Sequence, residues 1–131
     1  MMSCDCSGIR LGALRQQMKE SGADCFFSVH APDSRYFCGF MGDTSGLVVT
    51  ESDAFFLCDA RFTEQAHAEV AAFEVREVRG NFMRRLGELL AELDPGVAAY
   101  DPAHLTVAQQ MDVQRAHQGE LIPAAALASS L

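Results

Sequence analysis

The chain has 131 residues, of which 49% are hydrophobic, enough for one domain with a single core. Its formal net charge is −8, from ten Lys and Arg against eighteen Asp and Glu, and the basic residues form no stripe, so a nucleic-acid partner is not expected. No run reaches the ~20 apolar residues of a membrane helix, and MMSCDCSGIR lacks the basic start and apolar run of a secretory signal; a cytoplasmic location is expected.

Residues 1–8 read as a disordered start. Ser7 precedes IRLGALRQQMKESG, in which Leu11, Leu14 and Met18 share one face and Gly22 is a stop; the pattern predicts an amphipathic helix. DCFFSVH (24–30) predicts a short buried strand, and Pro32 opens a short helix through Tyr36. GLVVT (46–50) and AFFLC (54–58), joined by Glu51-Ser52-Asp53, predict an antiparallel hairpin. A helical pattern runs from Phe62 to Ala72, with Phe62, Ala66 and Val70 spaced by four, and FEVREV (73–78) follows as a strand with one wet face.

Asn81 is the cap of a strong helix whose Phe82, Leu86, Leu89, Leu90 and Leu93 lie on one stripe, ended by Asp94-Pro95-Gly96. VAAY (97–100) is the next strand. Thr106 and Gln109 form a capping box for a helix to about His117, its apolar side predicted to be Val107 and Met111. ELI (120–122) is a last strand before Pro123. Helices and strands alternate throughout, which predicts an α/β fold: three layers, α-β-α, around a mixed sheet of about six strands that includes one antiparallel hairpin. One domain accounts for residues 9–123, and AAALASSL (124–131) has helix formers but no stop signal.

Few constellations in the chain carry chemistry. The cysteines fall at 4, 6, 25, 38 and 58; Cys25 and Cys58 sit in apolar runs as small core residues, and Cys4-Asp5-Cys6 has no second pair to complete a zinc site. Glu64 and His67 make a single Glu-x-x-His, where carboxylate-bridged di-metal sites use two. Ser28 and Ser45 are hydroxyl nucleophile candidates with His30, His67, His104 and His117 as bases, but no Gly-x-Ser-x-Gly elbow is present. Gly39, Gly42 and Gly46 lead into a strand, so they read as turn and close-contact positions rather than a phosphate loop. Asp59-Ala60-Arg61 follows a strand and precedes a helix; Asp59 is placed to cap it, and a buried Arg61 to pair with Asp59 or to face a carboxylate ligand.

Taken together, Tyr36-Phe-Cys-Gly39-Phe40, then Gly42, Gly46, a hairpin, Asp59-Ala-Arg61-Phe62 and Gln65-Ala66 resemble the N-terminal domain of the creatinase and aminopeptidase P superfamily. Leu14, Arg15 and Met18 of the opening helix fit the same pattern, and the resemblance covers about 9–123. Ala60 and Phe62 depart from it, standing where the family usually carries Gly and Tyr, and Asp43-Thr44 interrupts the usual Gly-Ser-rich loop. The resemblance implies a non-catalytic N-terminal domain of a metal-dependent Xaa-Pro peptidase, of aminopeptidase P or Xaa-Pro dipeptidase type. In that family a C-terminal "pita-bread" domain holds two divalent ions (Mn, Zn or Co) on two Asp, one His and two Glu; no segment here corresponds to it, and 124–131 would begin the linker toward it.

It further implies a homo-oligomeric parent, such as a dimer, acting on proline-containing peptides, with this domain contributing to subunit contacts and substrate access. Asp59 and Arg61, then Tyr36 and Phe40, with Gly39 and Gly46, are the positions it marks as structural or substrate-shaping. Alternatives under the same resemblance are a free-standing peptide- or protein-binding module, as in a histone chaperone subunit that carries a related domain, and the N-terminal domain of a creatinase-like amidinohydrolase.

Overall fold

The computed structural model describes residues 3–42 and 44–124, with side chains from Gly8 onward. Cys4 and Cys6 as ligands, Asp43 in its loop and the 125–131 tail therefore lie outside the described residues. Among those described, the order is α1 (Ser3–Ser21), β1 (Cys25–Ser28), α2 (Ala31–Cys38), β2 (Gly46–Thr50), β3 (Ala54–Asp59), a 3-10 turn (Ala60–Phe62), α3 (Thr63–Glu69), β4 (Glu74–Val78), α4 (Phe82–Leu93), β5 (Val97–Tyr100), α5 (Val107–Ala116) and β6 (Glu120–Pro123). The six strands form one sheet in the order β4-β3-β2-β1-β5-β6. β2 runs antiparallel to β1 and β3, and the β1–β5, β3–β4 and β5–β6 pairs are parallel. The fold is the expected mixed-sheet α/β.

Both faces of the central strands are buried, which is why their sequences are continuous apolar runs. Phe26, Leu47, Val49, Phe56, Cys58 and Ala99 pack on one side against Leu11, Leu14 and Met18 of α1, Phe37 of α2 and Ala66 of α3. Phe27, Val48, Phe55, Leu57, Ala98 and Tyr100 pack on the other side against Met83, Leu86, Leu89 and Leu90 of α4 and Val113 of α5. Alternation along each strand sends neighbours to opposite cores, so the three layers follow from the strands themselves.

The predicted caps form as read. The Asn81 side chain accepts from Arg84 N, and Thr106 and Gln109 complete the capping box of α5. Two expectations change. The disordered start gives way to helix from Ser3, because extending a helix already formed by 9–21 fixes one residue per added bond and needs no new nucleus. The buried side of α5 is also not Val107 and Met111, which are 74% and 53% exposed; Val113 is buried instead. The cause is a notch at Gly87 on α4, where a Cβ would stand 2.6 Å from Val113 O, so the backbone of α5 lies directly against α4. No helix among the described residues is long and apolar enough to cross a membrane.

This packing predicts a contrast within α5. Val113→Ala should lower the unfolding free energy by roughly 2 kcal/mol, the burial of two methyl groups plus a residual cavity, whereas Met111→Ala should change it by less than about 0.5 kcal/mol. Urea denaturation of the two variants checks this; equal losses would contradict the assigned face.

Candidate functional site

The sheet's carboxyl edge collects most of the residues singled out in the sequence. α2 ends at Gly39, whose φ of 80° is left-handed backbone that a side chain would strain. The chain then turns Phe40 inward, where its ring is fully buried and lies 4.7 Å from the Phe56 ring and 6.0 Å, edge-on, from Phe62. Gly42 crosses so close to the Phe40 ring that a Cβ there would overlap it. Met41 N donates to Glu69 Oε1 at 2.9 Å, Gln65 steadies the same carboxylate, and Ala71 N donates to Cys38 O. α3 thus braces one end of the 39–45 loop. The other end is fixed by a buried Ser34–Ser45 hydroxyl pair at 2.7 Å.

Asp59 stands at the end of β3 and accepts from Arg61 N, capping the 3-10 turn. Its carboxylate also receives Nε and Nη2 of Arg61, the closest contact being 2.7 Å. These hydrogen bonds hold the Asp59 carboxyl below its ordinary value and raise Arg61. The arginine is not buried as expected: its side chain is 72% exposed, because the strand ends at the sheet edge and the short turn projects outward. Its guanidinium lies 5.2 Å from the Phe62 ring. Phe40, Phe62 and Arg61 therefore form a column from the core to the surface, with Asp59 orienting its charged end. Beside it, Thr63 donates to Glu77 at 2.6 Å and Arg79 pairs with Glu77.

Tyr36 and Gly46 make other contacts. Tyr36 lies under Arg10 of α1, its ring 4.1 Å from the guanidinium, and Arg10 donates to its carbonyl. Gly46 opens β2 against α4, where a Cβ would meet Phe82 at 3.1 Å. Neither serine hydroxyl bonds a histidine ring: Ser28 donates to Asp33 at 2.6 Å and accepts from the His30 backbone N at 3.1 Å, and Ser45 pairs with Ser34. Burial pushes the Cys25 and Cys38 thiols up to about 12, so neither is a thiolate at neutral pH.

Strand order reverses between β1 and β5, the place where an open α/β sheet usually takes its ligand. Here that crevice is closed. The His30 ring, before α2, stacks on His104, after β5, at 3.6 Å, and the nearby cavity is about 10 Å³, room for a single water. A groove of about 390 Å³ lies at the amino edge, among Arg15, Lys19, Asp24 and Glu51, away from the Asp59–Arg61 column. The sequence reading missed the bracing role of Glu69 and Gln65, although their i, i+4 spacing on a helix was its signal. It also missed the His30–His104 stack, for which adjacent positions in the chain offer no signal.

Residues 10–131 match the profile of the Creatinase/Prolidase N-terminal domain, and the chain belongs to that family. It is 26% identical to the N-terminal domain of the cytoplasmic peptidase PepQ from Mycobacterium tuberculosis H37Rv, with a TM-score of 0.86 over 93% of this chain and 97% of that one. The Xaa-Pro dipeptidase from Bacillus anthracis shares the fold at a TM-score of 0.89 and 22% identity, over 95% of this chain and 35% of that one. A Bacillus subtilis protein described as the uncharacterized peptidase YqhT is 32% identical over 76 residues, 58% of this chain and 22% of its own length. The chain thus spans well under half of these two larger relatives.

Removing the cap and the charge separately should give different results. Asp59→Ala is expected to lower the stability of the chain by about 1 kcal/mol at pH 7, and Arg61→Ala by less, since the exposed pair is screened by water. Because the folded Asp59 carboxyl titrates below its ordinary 3.8, its contribution is full above that value and is lost as pH falls through the folded value. Denaturation of Asp59→Ala and the unaltered chain should therefore converge below about pH 3.8; an unchanged difference at pH 3 would contradict the assignment.

Proposed function

We propose that this chain is the non-catalytic N-terminal domain of a metal-dependent Xaa-Pro peptidase, of aminopeptidase P or Xaa-Pro dipeptidase type, contributing to subunit contacts and substrate access. The observation that carries the reading is the overlay on nearly the whole N-terminal domain of PepQ at 26% identity. The peptidase descriptions of the other relatives agree with it. On this reading residues 9–123 are the domain, 124–131 begin the linker, and the partner is a C-terminal catalytic domain within a cytoplasmic homo-oligomer, such as a dimer.

The two divalent ions of such an enzyme, Mn, Zn or Co, would belong to the catalytic domain. Among the described residues no three His, Cys, Asp or Glu side chains converge as a metal site. What the chain offers instead is a rigid edge. The 39–45 loop is held at both ends, and Arg61 presents a fixed, exposed guanidinium to a peptide carboxylate.

Two assays test this. The purified chain, given an Xaa-Pro dipeptide or a longer Xaa-Pro peptide with Mn, Zn or Co, should show no turnover; hydrolysis by the chain alone would overturn the reading. In the whole parent enzyme, Arg61→Ala should raise KM by roughly tenfold with kcat little changed, the sign of lost uniform binding. Tight peptide binding by the chain in calorimetry, with an Arg61-independent parent KM, would instead favour a free-standing binding module.

A further inference from the structure

Strand β6 is an edge strand, paired with β5 alone, and its side chains are half-buried at best. The turn that delivers it is built around His117. This residue ends α5, its N–H donating to Val113 O at 2.9 Å. It is 3% exposed, and its Nε2 has no hydrogen-bond partner among the described residues. Gly119 lies against the ring: a Cβ there would stand 2.6 Å from Cε1, 2.7 Å from Nε2 and 3.5 Å from Gly96 O. Gln114 fastens the same turn, donating to His117 O and Gly119 O at 3.2 and 3.3 Å. The ring thus sits where the α5–β6 turn meets the α4–β5 turn.

A neutral ring leaves one nitrogen bare in this place, whereas a charged ring adds a proton and a full charge with no acceptor among the described residues to receive them. Burial accordingly lowers the proton affinity of His117, and Asp94, at the end of α4, opposes this in part. The other charges on the adjoining elements are engaged or exposed. Asp24 accepts from Val97 N beside Gly96, Glu120 is exposed at the start of β6, and Asp112 and Arg115 pair with each other on α5.

We propose that His117 is an acid-sensitive latch on the C-terminal strand: a second proton on its ring opens the α5–β6 turn and frees β6 from β5 while β1, β2 and β3 stay paired. The opening is local because Leu121 and Ile122 of β6 are only partly buried against the two cores, whereas Phe26, Val48 and Phe56 on the central strands are fully buried. The open state takes up a proton below the ordinary value of 6.5, and the closed state does so only at lower pH. Opening is therefore independent of pH above 6.5 and becomes about tenfold easier per unit below it, until the closed-state value is reached.

Hydrogen exchange on the full chain tests this, read as protection factors at Ile122 and Ala124, the latter donating its N–H to Tyr100 O at 2.8 Å. Between pH 6.5 and 5.5 protection there should fall by up to about fivefold while Phe26 to Ser28 hold theirs. His117→Gln should abolish the fall, and Asp94→Asn should carry it to lower pH. A flat profile at β6, a simultaneous loss in β1, or the same slope in His117→Gln would overturn the proposal. Should His117→Gln not fold, a flat β6 profile or a simultaneous loss in β1 in the unaltered chain would still overturn it.

Discussion

The turn at Glu51–Asp53 sets the plan of this domain. It reverses the chain inside an otherwise parallel sheet, so that β2 opposes both of its neighbours. Gly46, where β2 begins, and Asp59, where β3 ends, consequently emerge at the same edge, together with the carboxyl ends of β1 and β4. The turn is tied within itself by Thr50 N to Asp53 O at 2.8 Å and Asp53 N to Thr50 Oγ1 at 2.9 Å. It is also tied to α1, because Arg15 donates Nε to Thr50 O and Nη2 to Asp53 O. One arginine thereby fixes the first helix across the end of the hairpin.

The edge created by this hairpin is built for shape. The 39–45 loop is pinned by Glu69 and Ser34, and the Phe40–Phe62 pair connects it to Arg61. At the neighbouring switch point, stacked histidines and a buried Phe27–Tyr100 contact fill the space that a small ligand would take. The Arg61 guanidinium thus points outward into solvent, as the proposed role in framing access to a site elsewhere requires.

Much of this was legible because local signals agreed with the global fold. GLVVT and AFFLC predicted their strands nearly to the residue, and Asn81, Thr106 and Gln109 capped the helices that they announced. Gly39 and Gly42 served the turn and the close contact that their clustering implied. The failures at α5, Arg61 and the histidine stack share one cause. In α5, Val107 and Met111 make an i, i+4 pair, and so do Val113 and His117; periodicity cannot choose between them. The notch at Gly87, on another helix, decides it. The exposure of Arg61 likewise depends on where β3 reaches the sheet edge, and the His30–His104 stack depends on β1 and β5 being neighbours. Such pairings are set by tertiary placement and leave no trace in a sequence window.

The account rests on this chain being one part of a larger peptidase, and the most direct measurement is the intact mass of the native protein recovered from its source cells with an antibody to this domain. The account predicts a product longer by a further domain of about 100–250 residues. A native product of 14.2 kDa, the mass of this chain alone, would contradict it.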